Sequence, residues 1–194
     1  MRLLAKLGTL RTVLAVLTAM TALLVGLAAF GNITDFGTNE AFVKHVLAMD
    51  TTFKSPNTMW RAITSPAMAT VAYIAIIVWE SVTAVILVAA CAAWVRSEPG
   101  PGGIQTARQL STLGWLMQVM LFGGGFIVVG GEWFQMWQSA EWNGLQPALQ
   151  NFLIASVGLI LAHLVAPGAG PIGSRAGNLA AGDAADPSES SMTQ

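Results

Sequence analysis

Two glutamates set inside long apolar runs, Glu80 and Glu132, are the residues of this chain best placed to do chemistry. Glu80 lies about 13 residues, or roughly 20 Å at helical rise, from either end of its run. A charge at that depth costs at least about 2.5–3.5 kcal/mol on insertion scales, and an apolar surrounding favours the neutral acid. A neutral Glu80 can donate a hydrogen bond. Counting depth along the other runs names Thr18, Gln118 and Ser156, at roughly 17–22 Å from the outer ends of theirs, as its partners. The expectation is a polar layer of Thr18, Glu80, Gln118 and Ser156 at the bilayer midplane. Two readings of it stand: a proton-responsive or ligand-binding centre, or a helix–helix hydrogen bond worth about 1 kcal/mol that fixes the bundle's register.

Glu132 falls near the end of its run, at a level where Arg61, Lys44 and His45 can pair with it. The favoured reading is a clamp that ties a loop to the bundle; the alternative is a site for a cation, a quinone headgroup or a lipid headgroup. His45 and His163 belong to opposite ends of the molecule and cannot share a haem iron. His45 with Met49 one turn later makes half a copper site with no second pair to complete it. Asp35 and Asp50 read as turn and helix-end residues, because the regular oxygen-ligand spacing of a calcium loop is missing. The single cysteine, Cys91, excludes a disulfide framework or a cysteine metal site and reads as a small packing residue. No nucleophile–base pair, P-loop or dinucleotide fingerprint occurs. The expectation is therefore no enzyme, no metal and no cofactor.

The elements that must position these groups are set by composition. Of 194 residues, 54% are hydrophobic and 10% charged, against about 25% charged in soluble domains. A spanning helix needs roughly 20 apolar residues, and four runs qualify: 10–31, 67–95, 110–134 and 145–165. The first is longer than the roughly 7–15 apolar residues of a signal peptide and reads as an uncleaved span. Arg2, Lys6, Arg11, Arg96, Arg108 and Arg175 share one side, with Lys44, Lys54 and Arg61 on the other. By the positive-inside bias both termini are cytoplasmic, as in a multi-pass inner-membrane protein. Trp60, Trp133, Trp137 and Trp142 then form an outer aromatic belt and Trp94 and Trp115 lie near the inner face, leaving Trp79 deep. In the outer loop 32–66, Phe42, Val46, Met49 and Phe53 make one apolar stripe, which predicts an amphipathic helix on the periplasmic side. In the third run Gly124 and Gly131 fall a heptad apart, which suits close helix packing or a ligand-approached stretch. The Gly-, Ala-, Pro- and Ser-rich tail 167–194 reads as disordered and cytoplasmic, separate from the membrane domain 1–166. A net charge of −1 and the lack of basic runs argue against nucleic acid.

Several segments, taken together, carry a family pattern: Asn32-Ile33-Thr34-Asp35, the stretch from Phe42 to Phe53, Trp60-Arg61-Ala62-Ile63, and Gly131 to Ser139 with its Glu132-Trp133-Phe134-Gln135-Met136-Trp137. The chain resembles, over roughly residues 10–165, the bacterial "predicted small integral membrane protein" family of unknown function. That resemblance implies a four-helix inner-membrane protein and singles out Asp35, His45, Asp50, Arg61, Glu80, Glu132 and Trp137. It brings no activity. The resulting expectation is an all-α, antiparallel bundle of four transmembrane helices with a periplasmic loop helix. Its partners are the lipid bilayer and either a membrane complex or further copies of itself. It serves as a non-catalytic accessory or scaffolding subunit, with two alternatives: a small transporter, channel or proton-linked sensor centred on Glu80, or a quinone-linked redox subunit using Glu132.

Overall fold

Thr9 opens the first helix, its hydroxyl accepting a hydrogen bond from the Thr12 amide at 3.2 Å and so satisfying one of the donors left over in a first turn. The computed structural model describes residues 9–97 and 104–164, which are helical or turn with no strand among them. The basic residues Arg2 and Lys6, the segment 98–103 and the tail, including Arg175, lie outside the described residues.

Helix α1 is Leu10–Thr34, and after a break at Asp35 the shorter α2 runs Phe36–Ala48. Pro66 supplies the first residue of α3, Pro66–Arg96, where its missing N–H costs nothing. Helix α4, Gln105–Val119, passes directly into a π-helical segment, Met120–Trp133, and α5 is Leu145–Leu164. Short 3-10 turns occupy Met59–Arg61 and Met136–Gln138. Four helices, counting α4 with its π-segment as one, are long and apolar enough to cross a membrane. They pack as a closed ring of neighbours: α1 on α3, α3 on α4, α4 on α5, and α5 back on α1. The Arg11 side chain donates to the carbonyls of Trp94, at 3.1 Å, and Ser97, so the start of α1 meets the end of α3. It serves carbonyls that no further turn of helix can satisfy. Helix α2 lies across the other end, which we call the capped end.

Between the helices small, polar and aromatic residues pack with a few aliphatic ones such as Leu14, Val25 and Leu87, while many other valines and leucines point outward. Along α3 the buried stripe is Ala69, Tyr73, Ile77, Glu80, Thr83, Leu87, Ala90 and Trp94, at helical spacing; Val71, Val78, Val82, Val85 and Val88 are exposed. Lipid gives no hydrophobic drive between spans, so side-chain hydrogen bonds and close backbone approach must hold them. The Trp94 indole donates to Ser111 Oγ at 2.8 Å, Ser111 and Thr18 hydroxyls meet at 3.3 Å, and the Trp115 indole reaches Thr21 Oγ1 at 3.3 Å. The Trp79 indole donates to the Met117 carbonyl at 2.9 Å. Trp94 and Trp115 are thus fully buried core residues, and each indole N–H finds its partner inside the bundle.

The π-segment revises another expectation. The Phe134 amide bonds to the Val129 carbonyl, five residues back, at 3.0 Å, and the wider turn breaks the heptad that would align Gly124 with Gly131. A Cβ at Gly131 would lie 2.8 Å from Leu145, whereas one at Gly124 would meet nothing within 4 Å. π-helix is rare beyond a single turn; here five glycines among 14 residues relieve the crowding of side chains around it. Close packing is tightest at Gly158, where a Cβ would sit 2.5 Å from the Trp115 ring, and at Gly114, where one would sit 2.5 Å from the Leu87 side chain.

Overpacking a filled core costs about 1–3 kcal/mol. Gly158→Ala is therefore expected to lower the thermal unfolding midpoint in detergent, while Gly124→Ala leaves it within error. Equal midpoints for the two variants would contradict this packing.

Candidate functional site

Glu80 stands midway along α3, yet its partner is Asn32, in the last turn of α1. The Asn32 amide donates to Glu80 Oε2 at 2.7 Å, and the Tyr73 hydroxyl donates to the Asn32 carbonyl at 2.9 Å. Glu80 is only 4% exposed. The expected midplane layer does not form. Thr18 bonds to Leu14 and Ser111, Ser156 to the Phe152 carbonyl, and Gln118 donates to Asn151 Oδ1 at 3.3 Å. Gln118 Oε1 is left buried without a partner. The physical reason is register: Arg11 at the start of α1 meets the end of α3, and the last turn of α1 reaches only Glu80 and Tyr73, so the first turns of α3 run on beyond α1. The centre of α3 is therefore level with the end of α1, and counting along a single helix misjudges depth.

Beyond Glu80 the overshooting part of α3 packs against α2. Val43 is buried with Tyr73 and Ile77, and Phe36 tilts against Tyr73 at 4.8 Å between ring centroids. The predicted stripe of Phe42, Val46, Met49 and Phe53 is broken because the helix stops at Ala48. Met49 takes a left-handed conformation (φ 53°) with its side chain fully buried, and Phe53 is exposed beyond the helix. Glu40 fastens α2 in place: one carboxylate oxygen accepts from Lys44 at 2.7 Å and the other from the Thr70 hydroxyl of α3. The Lys44 hydrogen bond first, and then that from Thr70, hold the Glu40 carboxyl below its ordinary range.

Between α2, α3, the π-segment and the start of α5 is a cavity of about 220 Å³ whose lining includes Asn32, Asn39, Tyr73, Glu80, Phe122 and Phe126. Four polar side chains from α1, α2 and α3 thus converge on one cavity beside the cap helix. Glu80 can hold a proton or accept a hydrogen bond there, the amides can donate or accept, and the aromatic rings supply apolar walls.

The loops above interlock. Thr51 donates to Ser139 Oγ at 2.8 Å, the Phe53 amide to Gln138 Oε1 at 2.9 Å, and Thr58 to Gln135 Oε1 at 3.1 Å. The expected Glu132 clamp is replaced by this network. Glu132 is exposed and has no ion pair or hydrogen bond among the described residues, since each cation assigned to it has a nearer partner. Lys44 takes Glu40; His45 Nδ1 sits 2.7 Å from Asp50 Oδ2 and its ring stacks on Trp142 at 4.5 Å. Arg61 lies over the Trp133 ring at 4.7 Å and the Trp60 ring at 5.5 Å. Asp35 accepts from the Thr38 hydroxyl at 2.9 Å at the α1–α2 break, and Trp137 meets Phe53 edge-on at 5.9 Å. His163 is near Thr112, apart from all of these. Among the described residues, no three of His, Cys, Asp and Glu gather as a metal site would require.

Sequence reasoning therefore found Glu80 but missed Asn32, Asn39, Tyr73 and Glu40. Tyr73 carried a signal, as the one tyrosine of the chain set inside an apolar run. Asn32 was masked by its resemblance to a turn former.

A family model described as "predicted small integral membrane protein" matches residues 10–165. No curated protein and no solved structure matches the chain.

Removing one partner from a buried polar pair costs about 1–3 kcal/mol. Asn32→Leu is expected to lower the thermal midpoint in detergent more than Glu80→Gln, which keeps an acceptor facing Asn32; the reverse order would dissolve the pairing. Glu40 makes a second prediction. Its folded-state value is depressed, so its contribution to docking α2 is complete above its ordinary value of 4.5 and is lost as pH falls through the lowered one. Hydrogen-exchange protection of residues 36–48, corrected for intrinsic rates, should fall on acidification in this window. In Glu40→Gln the step should be absent.

Proposed function

Because the chain belongs to the family of predicted small integral membrane proteins, we propose that it is a non-catalytic accessory or scaffolding subunit of a membrane assembly. We place it in the bacterial inner membrane as an antiparallel bundle with both termini cytoplasmic and α2 periplasmic. The observation that carries the reading is the aromatic surface of the interlocked loops: Phe53 is 73% exposed, Trp60 69%, Trp137 48% and Trp133 45%. Large aromatic residues are enriched where proteins meet, and this group is fixed by loop-to-loop hydrogen bonds before any partner arrives. Arg61, stacked on two of the rings, adds a cation to the same patch. The orientation is supported by Arg11, Arg96 and Arg108 near one end and by Lys44, Lys54 and Arg61 near the other.

A second reading, a proton-linked sensor or small transporter, is favoured by the burial of Glu80 beside a cavity. A third reading, a quinone-linked redox subunit, rests on Glu132, which is exposed and has no hydrogen bond or ion pair among the described residues.

Gentle extraction from native membrane, followed by intact-complex mass spectrometry, tests the accessory reading. The expected result is a stoichiometric heteromeric partner that is lost in the variant Trp60→Ser/Trp137→Ser while the protein itself stays folded. A homogeneous monomer or homo-oligomer, unchanged by those substitutions, would overturn it.

A further inference from the structure

The cavity at Glu80 does not stand alone. Beside it lies a second cavity of about 320 Å³ whose lining is almost wholly apolar. Phe42, Val43, Ile76 and Phe126 line both, so the two spaces adjoin across these side chains. The second cavity exists because α3 packs closely on α4 but scarcely on the π-segment above it, and α2 fills only part of the wedge between them. Ala75, Gly125 and Val129 line it and are exposed. All three belong to helices able to cross a bilayer, so this slot opens toward lipid.

The chemistry of the inner end narrows what can fill it. Glu80 Oε2 takes the Asn32 amide, and no described residue donates to Oε1. A buried carboxylate oxygen without a donor is satisfied by one. A molecule reaching it through the slot has to shed its water, which a phosphate or zwitterionic head cannot do cheaply. An anion would also face the carboxylate. A neutral ring bearing a hydroxyl meets every condition: the O–H donates to Glu80, the ring lies among Tyr73, Phe122 and Phe126, and an apolar tail occupies the slot. Ligand sites of this kind are mostly apolar with few, well-placed polar groups.

We propose that the paired cavities form a binding site for a lipid-soluble quinol, with a ring hydroxyl on Glu80 and the tail between α3 and the π-segment. The site binds; no electron transfer within this chain is implied. This goes beyond the accessory role and stands independently of it.

The test uses the full chain in nanodiscs of neutral phospholipid, titrated anaerobically with a decyl-substituted benzoquinol and read by tryptophan fluorescence quenching. Saturable binding is expected. Glu80→Leu, which removes the acceptor, should weaken it about tenfold or more. Ala75→Phe narrows the slot from an exposed position, so it should also weaken binding without lowering the melting midpoint. Val85→Phe, exposed on α3 and outside both cavities, should leave binding unchanged. Non-saturable quenching, or equal quenching in all four proteins, would mean simple partition into lipid and would overturn the site. Stronger saturable binding of decylamine would overturn the hydroxyl assignment in favour of a cation. So would equally tight, Glu80-independent binding of the oxidised decylbenzoquinone.

Discussion

The structure is organised by the absence of water around most of it. Apolar side chains gain little by turning inward when the surroundings are equally apolar, so the cohesive groups here are small and polar. Thr18, Thr21, Ser111 and the indoles of Trp79, Trp94 and Trp115 connect helices, while the valines of α3 face out. Every such polar group has to find its partner within the protein, since hydrocarbon offers none. The same rule explains why Arg11 lies against the last carbonyls of α3.

Against that background the capped end is built differently. There α3 runs on past α1, and the gap is closed by α2, fastened through Glu40 and through apolar contacts of Val43 and Phe36. A short helix cannot fill a wedge opened by two long diverging ones, and the unfilled volume becomes the two adjoining cavities. Glu80, Asn32 and Tyr73 lie at the boundary between the tightly packed ring and this looser cap. Their hydrogen bonds join α1 to α3 at the level where ring packing ends. Structural and ligand-binding roles are therefore compatible at Glu80: one carboxylate oxygen holds the bundle and the other faces available space.

The loops over the cap form a separate layer of organisation. Their side-chain amides and hydroxyls bind across the two loops, and the tryptophans are left outside. Exposed tryptophans at one end of a membrane bundle suit the membrane–water interface, and the same rigid rings are what a protein partner would meet.

The sequence by itself determined that the chain is a membrane protein with four spans. The spans 10–31, 67–95, 110–134 and 145–165 differ from the helices Leu10–Thr34, Pro66–Arg96, Gln105–Trp133 and Leu145–Leu164 by a few residues at their ends. Hydropathy is a bulk property summed over twenty residues, so it survives local error. It also marked Glu80, because a carboxyl in such a run is conspicuous whatever its neighbours. Which face of each helix turns inward was not legible, since a uniformly apolar helix shows no amphipathic period. Only the tertiary structure decided that Glu80 meets Asn32 and not Gln118, that Arg61 stacks on Trp133 and leaves Glu132 alone, and that α2 stops at Ala48. Those outcomes depend on the π-turns of Met120–Trp133 and on how far each helix slides past its neighbour. Such displacements are set by contacts between segments distant in the chain, and no periodicity within one segment records them.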